Sequence, residues 1–214
     1  MDGNEARRRM VQSQLEARGI RHRRVLEAMS RVPRERFVLP ADRDRAYDDC
    51  PLPIGHDATI SQPYIVALMT EALDPAPSER VLEVGSGSGY QSAVLIEMGA
   101  TLYTVEIVEQ LSHRAQKLLE DLGYRARFRV GDGREGWPEA APFAGIVVTA
   151  APQEIPRTLV AQLAPGGRMV LPVGSASQDL ILLQDTPSGL EQTVLTAVRF
   201  VPLLEKRPHD GTLH

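Results

Sequence analysis

Gly85, Gly87 and Gly89 stand at alternate positions directly after the apolar run Val81-Leu82-Glu83-Val84, and Tyr90 opens a helix-compatible stretch. A strand running through a glycine turn into a helix is the opening unit of a nucleotide-binding α/β half. Glycine tolerates positive φ there, and its missing Cβ lets a ligand approach the backbone. The turn also aims the first amides of the helix at whatever lies above it, which favours an anionic group. The next apolar run, Thr101 to Val105, ends in Glu106, about 20 residues after the first glycine, where a carboxylate can accept both ribose hydroxyls rather than serve as a surface acid.

The spacing narrows the ligand. A dinucleotide fingerprint would place its third glycine where Tyr90 stands, and the chain has no G-x-x-x-x-G-K-[ST] phosphate cradle. Neither Ser86 nor Ser88 has the flanking glycines of a nucleophile elbow. An adenosine ligand without a pyrophosphate suits these residues, and S-adenosylmethionine is the common one. Gly131-Asp132-Gly133 follows a further strand-like run; Asp132 reads either as a turn residue or as a partner of the adenine amino group. Glu83, inside a central strand, reads as an acceptor of loop amides or as a group facing the ligand's ammonium. Ser61 reads as the N-cap of the helix that Pro63 begins, or as a hydroxyl beside the ligand crevice.

These residues need a scaffold that brings strand ends together. Strands are expected at 80–84, 101–106, 125–130, 143–149 and 167–173, with helices at 89–98, 109–121 and 155–163. That alternation predicts a doubly wound, mostly parallel α/β sheet. Gln178 to Gln184 and Glu191 to Phe200 flank the turn Thr186-Pro187-Ser188-Gly189 and should form an antiparallel hairpin at one edge. Residues 4–30 read as two helices broken at Gly19, and residues 31–60 as an irregular, proline-pinned loop of the kind that carries function. Ile65, Leu68, Met69, Ala72 and Leu73 form the apolar stripe of the helix after Ser61. One structural domain results, with residues 1–60 packed as helices and substrate loop on a 61–214 core.

Composition excludes several classes. A net charge of −4 is the wrong sign for a nucleic-acid binder, and the arginines at 7–9, 21, 23 and 24 alternate with Glu5, Glu16 and Glu27 as on a solvated helix face. No run approaches the roughly 18 apolar residues of a membrane span, and the Arg-rich start lacks the apolar segment of a signal peptide. One cysteine, Cys50, excludes an internal disulfide, and the histidines at 22, 56, 113, 209 and 214 have no metal-ligand spacing. A cytoplasmic monomer without metal, nucleic-acid or membrane partners is expected.

Taken together, several stretches closely resemble the protein-L-isoaspartate O-methyltransferases. They are Arg31-Val32-Pro33-Arg34 through Phe37-Val38, Ala46-Tyr47, Pro51-Leu52-Pro53-Ile54-Gly55, Thr59-Ile60-Ser61-Gln62-Pro63 and Val81 to Gln91. Gly131-Asp132-Gly133, Ala141-Pro142-Phe143, Val148 to Ala151, Gln162 to Arg168 and Arg199 to Leu203 continue the likeness. The Gly-rich turn is shared by many methyltransferases, whereas Thr-Ile-Ser-x-Pro beside Pro-Ile-Gly is particular to this family. The resemblance implies a class I, Rossmann-like methyltransferase that moves a methyl group from S-adenosylmethionine to the free carboxylate of L-isoaspartyl, and also D-aspartyl, residues in damaged proteins. It makes Ser61 the catalytic hydroxyl. It places Thr59, Ile60, Ser61, Tyr64, Glu83, Gly85, Ser86, Gly87, Ser88, Gly89, Glu106, Ile107, Asp132 and Gly133 on the cofactor, and Ile54, Gly55, Thr59, Val148, Thr149, Ala150 and Ala151 on the substrate. The chain departs from the family at His56-Asp57-Ala58, where Asp57 would repel an anionic substrate. It departs also at Ala144, where an aspartate is common, and in the tail from Leu204 to His214, which lacks a Gly-Trp ending. Two other readings remain: a related carboxyl methyltransferase acting on a biosynthetic peptide or small acid, and a cofactor-binding module without turnover.

Overall fold

A computed structural model describes residues 3–205. Its centre is a seven-stranded sheet in the order β5-β4-β3-β6-β7-β8-β9. Strands β3 (Arg80–Val84), β4 (Thr101–Glu106), β5 (Arg127–Val130), β6 (Phe143–Val148) and β7 (Leu163–Gly174) run parallel. Strands β8 (Gln178–Thr186) and β9 (Gly189–Val198) close one edge as the expected antiparallel hairpin. Both faces of β3 are covered, so its apolar side chains are buried without alternation, as parallel strands require.

The helices follow apolar stripes. In α5 (Glu109–Asp121), Leu111, Ala115 and Leu119 recur every fourth residue and are all buried. Helix α4 (Tyr90–Glu97) starts at Gly89, whose φ is +86°, and a Cβ there would lie 3.3 Å from the Ala115 Cβ. The third glycine of the turn thus lets α4 and α5 pack closely. Helix α3 spans Pro63–Leu73.

The amino-terminal segment is α1 (Gly3–Met10), a π-helical turn over Val11–Leu15, a short 3-10 turn ended by Gly19 at φ +99°, and α2 (Arg23–Arg31). Its buried Met10, Leu15, Ile20, Val25 and Met29 join one apolar cluster with Tyr90, Val94, Met98 and Leu111. The segment therefore packs directly onto α3 and α4.

Three expectations need correction. Residues 31–60 are not wholly irregular: β1 (Leu52–Gly55) and β2 (Ala58–Ile60) form an antiparallel hairpin, turned by His56 and Asp57, each at φ +55°. The helix expected over 155–163 is only α6, Arg157–Val160, because Pro156 caps its start and β7 already begins at Leu163. Ser61 is not the cap of α3; Gln62 occupies that position.

Glu83 lies in the middle of this sheet, fully buried between β4 and β6. The Ser92 hydroxyl of α4 donates to its Oε2, while Oε1 and the neighbouring Thr104 hydroxyl have no hydrogen-bond partner among the described residues. Burial pushes the carboxyl up to about 8, against the pull of Ser92, so it is protonated at neutral pH. The folded protein then holds this proton more tightly than the unfolded chain does. Stability is lost as the pH climbs from the ordinary value of 4.5 towards about 8. Glu83→Gln is expected to raise the stability at pH 8.5 by on the order of 1 kcal/mol or more, and to change it little at pH 5. Thermal unfolding of both proteins across that pH range measures the difference.

Candidate active site

The chain leaves β3 for β4 and β5 on one side, then returns to β6 and β7 on the other. The loops after β3 and β6 therefore diverge, and α/β sheets bind ligands in the crevice this opens. A cavity of about 310 Å³ lies there, bordered by Gly85, Gly87, Glu106, Ile107, Val108, Leu111, Gly133, Thr149 and Ala150. His56, Asp57, Ala58 and Thr59 of the β1–β2 hairpin bound it above. A second cavity of about 370 Å³ is lined by Pro51, Thr59, Ser61, Gln62, Ile65, Thr149 and the stretch Ala197 to Val201. Thr59, Thr149 and Val201 border both. A space of about 40 Å³ touches Thr59, Ile60, Ser61, Ser86, Ser88 and Thr149 as well.

The tips of β3 and β6 are locked together. Thr149 N–H donates to the Val84 carbonyl at 2.9 Å, and its hydroxyl donates to the Gly85 carbonyl at 2.6 Å. Gly85 has φ +93°, and a Cβ on it would collide with the Thr149 hydroxyl. Only glycine satisfies both demands.

Glu106 ties the next two elements to that turn. Its Oε2 accepts the Gly87 amide at 2.9 Å and its Oε1 accepts the Val108 amide at 3.0 Å. A carboxylate offers about four lone-pair directions, so one on each oxygen is left for a diol. Ser86 is buried with no partner for its hydroxyl among the described residues, beside the small space. Ser88 accepts the Tyr90 amide at 3.3 Å.

Ser61 makes no hydrogen bond among the described residues, although it borders both the second cavity and the small space. A serine that caps nothing and sits at the junction of two cavities keeps its hydroxyl for another partner. The other expected positions divide. Asp132 caps a 3-10 turn and is paired with the Arg134 guanidinium at 2.6 Å; Gly133, not Asp132, borders the first cavity. Glu83, Gly89, Tyr64, Ile54, Gly55, Val148 and Ala151 border none of the three cavities. The Arg18 guanidinium stacks 3.5 Å above the Tyr64 ring, and Ile54 is a core residue whose side chain sits against Gly87.

Sequence reasoning missed the stretch from Arg199 to Leu204. Ala151 donates to the Val201 carbonyl and accepts the Leu203 amide, both at 2.8 Å, which straps this segment across the strand tips. The buried Gln178 fixes its start: the Phe200 amide donates to Gln178 Oε1 at 2.6 Å, and Gln178 Nε2 donates to the Phe200 carbonyl at 3.1 Å. Val201, Pro202, Leu203 and Leu204 wall the first cavity, so the tail does supply cover there. The remainder of the tail, with His209 and His214, lies outside the described residues. Asp57 borders the first cavity and not the second, and Ala144 sits near the start of β6, away from the crevice.

The sequence profile of the protein-L-isoaspartate(D-aspartate) O-methyltransferases matches residues 5–208. The chain belongs to this family. A protein-L-isoaspartate O-methyltransferase of Gloeobacter violaceus is 54% identical over 94% of this chain and 100% of its own length. Protein-L-isoaspartate O-methyltransferase 1 of Syntrophobacter fumaroxidans is 50% identical over 97% of this chain and 98% of its own. The fold agrees with a crystal structure of a Plasmodium falciparum protein-L-isoaspartate O-methyltransferase, described as putative, in complex with S-adenosyl-L-homocysteine. It superposes with a TM-score of 0.81 at 26% identity, covering 94% of this chain and 99% of that one. In this family member, the Gly85–Thr149 contact yields a direct test. Gly85→Ala is expected to lower nucleoside affinity at least tenfold and to destabilise the fold by roughly 1–3 kcal/mol, read by calorimetry and thermal melting.

Proposed function

We propose that this chain methylates the free carboxylate of L-isoaspartyl, and also D-aspartyl, residues in damaged proteins, using S-adenosylmethionine. The observation that carries the proposal is the pairing of a first cavity of small-molecule size with a second across Thr59, Thr149 and Val201, with the Ser61 hydroxyl bordering the second and the small space that shares Thr59, Gly85, Gly87 and Thr149 with the first. The family and the names of its relatives support the same reading.

The residues fit the cofactor. The first cavity falls in the range of small-molecule sites. Glu106 retains acceptor capacity for the ribose hydroxyls, and Ile107, Val108 and Leu111 offer an apolar slot for the adenine. Gly85 and Gly87 give backbone approach, and the unpartnered Ser86 hydroxyl offers a polar contact. Asp132 would have to share its carboxylate between the adenine amino group and Arg134. Glu83, neutral and enclosed, acts through α4 rather than on the ligand. When bound, S-adenosylmethionine supplies a methyl group on a positively charged sulfur.

The acceptor needs no base. An isoaspartyl residue exposes an α-type carboxyl with a pKa of about 3.5, already ionised at pH 7. The work left to the protein is placement and exclusion of water. Ser61 would donate to one carboxylate oxygen, and Thr59, Thr149, Ala150 and the strap would hold the peptide across the second cavity. Among the described residues no group of three or more His, Cys, Asp or Glu could hold a metal ion, and no helix is long and apolar enough to cross a membrane.

Two peptides that differ only in an isoaspartyl or an ordinary aspartyl residue test the proposal. Methyl transfer to the first and not the second is expected; equal rates would point instead to a general carboxyl methyltransferase, and binding without transfer to a cofactor module. Ser61→Ala should lower kcat by roughly 10- to 100-fold, the worth of one hydrogen bond to a charged group, while cofactor affinity holds. Unchanged turnover would remove Ser61 from the reaction.

A further inference from the structure

Charge is segregated between the two cavities. Among the described residues, the first is bordered by the acids Asp57 and Glu106 and by no arginine or lysine. The second has, among the described residues, a single ionisable residue in its lining, Arg199. Arg199 is exposed, and no carboxylate of the described residues pairs with it, whereas Arg18, Arg24, Arg129, Arg134 and Arg168 all sit in ion pairs. Its backbone is nonetheless rigidly placed. Val198 pairs with Gln178 at the end of β9, the Gln178 carboxamide grips both polar groups of Phe200, and Val201 is bonded to Ala151. A fixed backbone carrying a free guanidinium at a cavity mouth is a recognition element without a partner inside the protein.

We propose that Arg199 is the carboxylate-recognition residue of this groove, pairing with the isoaspartyl carboxylate that is to be methylated. The inference rests on the function proposed above and deepens it. A guanidinium matches a carboxylate with two parallel N–H···O bonds, and no other lining residue offers a compensating charge. The pairing also favours the ionised, nucleophilic form of the acceptor. Transfer turns that anion into a neutral methyl ester, which no longer attracts a cation, so Arg199 holds substrate in preference to product. Acids beside the donor and a cation beside the acceptor mirror the opposite charges of the two reactants.

The test uses the full chain and a peptide blocked at both ends whose only anionic group is the isoaspartyl carboxylate. Arg199→Gln should raise KM about tenfold with kcat within about twofold, the loss of a single charge-assisted contact. It should also abolish the dependence of KM on ionic strength, which the parent protein shows. Arg199→Lys should recover part of the loss, since it restores charge without the planar fork. Cofactor affinity by calorimetry should match in all three proteins, which separates recognition from misfolding. An unchanged KM in Arg199→Gln overturns the inference while leaving the methyltransferase reading intact. So does a KM effect seen only with peptides that carry a further acidic residue. A parent protein inert on this peptide overturns both.

Discussion

The site depends on one close approach: the backbone of Gly85 against the hydroxyl of Thr149. Strands β3 and β6 are parallel neighbours paired as far as Val84 and Val148, but the chain leaves their tips towards opposite halves of the sheet. The Thr149 hydroxyl joins those tips by donating to carbonyls at the end of β3, in the volume that any side chain at position 85 would claim. Glu106 then extends the lock sideways by holding the Gly87 and Val108 amides, so turn, strand end and helix start move as one piece. Preorganisation of this kind spares a bound ligand the cost of ordering the loops that receive it.

What the sequence revealed follows from which physical signals are local. The glycine turn, the acid at the end of β4 and the alternation of apolar runs are short-range patterns, and all of them are found where spacing put them. The β1–β2 hairpin was hidden because Pro51 and Pro53 argue against a strand, yet a two-stranded ribbon has an unpaired side where proline does no harm. Ser61 misled in the opposite way. Its type and position satisfy a capping rule, and the helix begins one residue too late to use it. The Arg199–Leu204 strap carries no periodicity at all; its place is set by contacts with Gln178 and Ala151, distant in the chain. Only the likeness to a family pointed to that stretch.

Glu83 illustrates how a functional neighbourhood can mislead. Two residues before the glycine turn, an acid invites a ligand role, but both faces of β3 are covered and its side chain is buried against α4. Its carboxyl is an internal brace for α4 through Ser92, neutral because charge there would have no water and no cation to meet. The departures from the family pattern sort by the same geometry: Asp57 falls on the acidic side of the crevice, and Ala144 at the far end of its strand.

The partition between the two chambers is a single thickness of chain, for Val201 belongs to the lining of each. Whatever fills one chamber presses on the boundary of its neighbour, and the boundary is hung from only a few hydrogen bonds to Gln178 and Ala151. Linkage makes such influence mutual: any tightening that the first occupant confers on the second is returned in equal measure. Under the proposed function, donor and acceptor would lie on either side of that one wall.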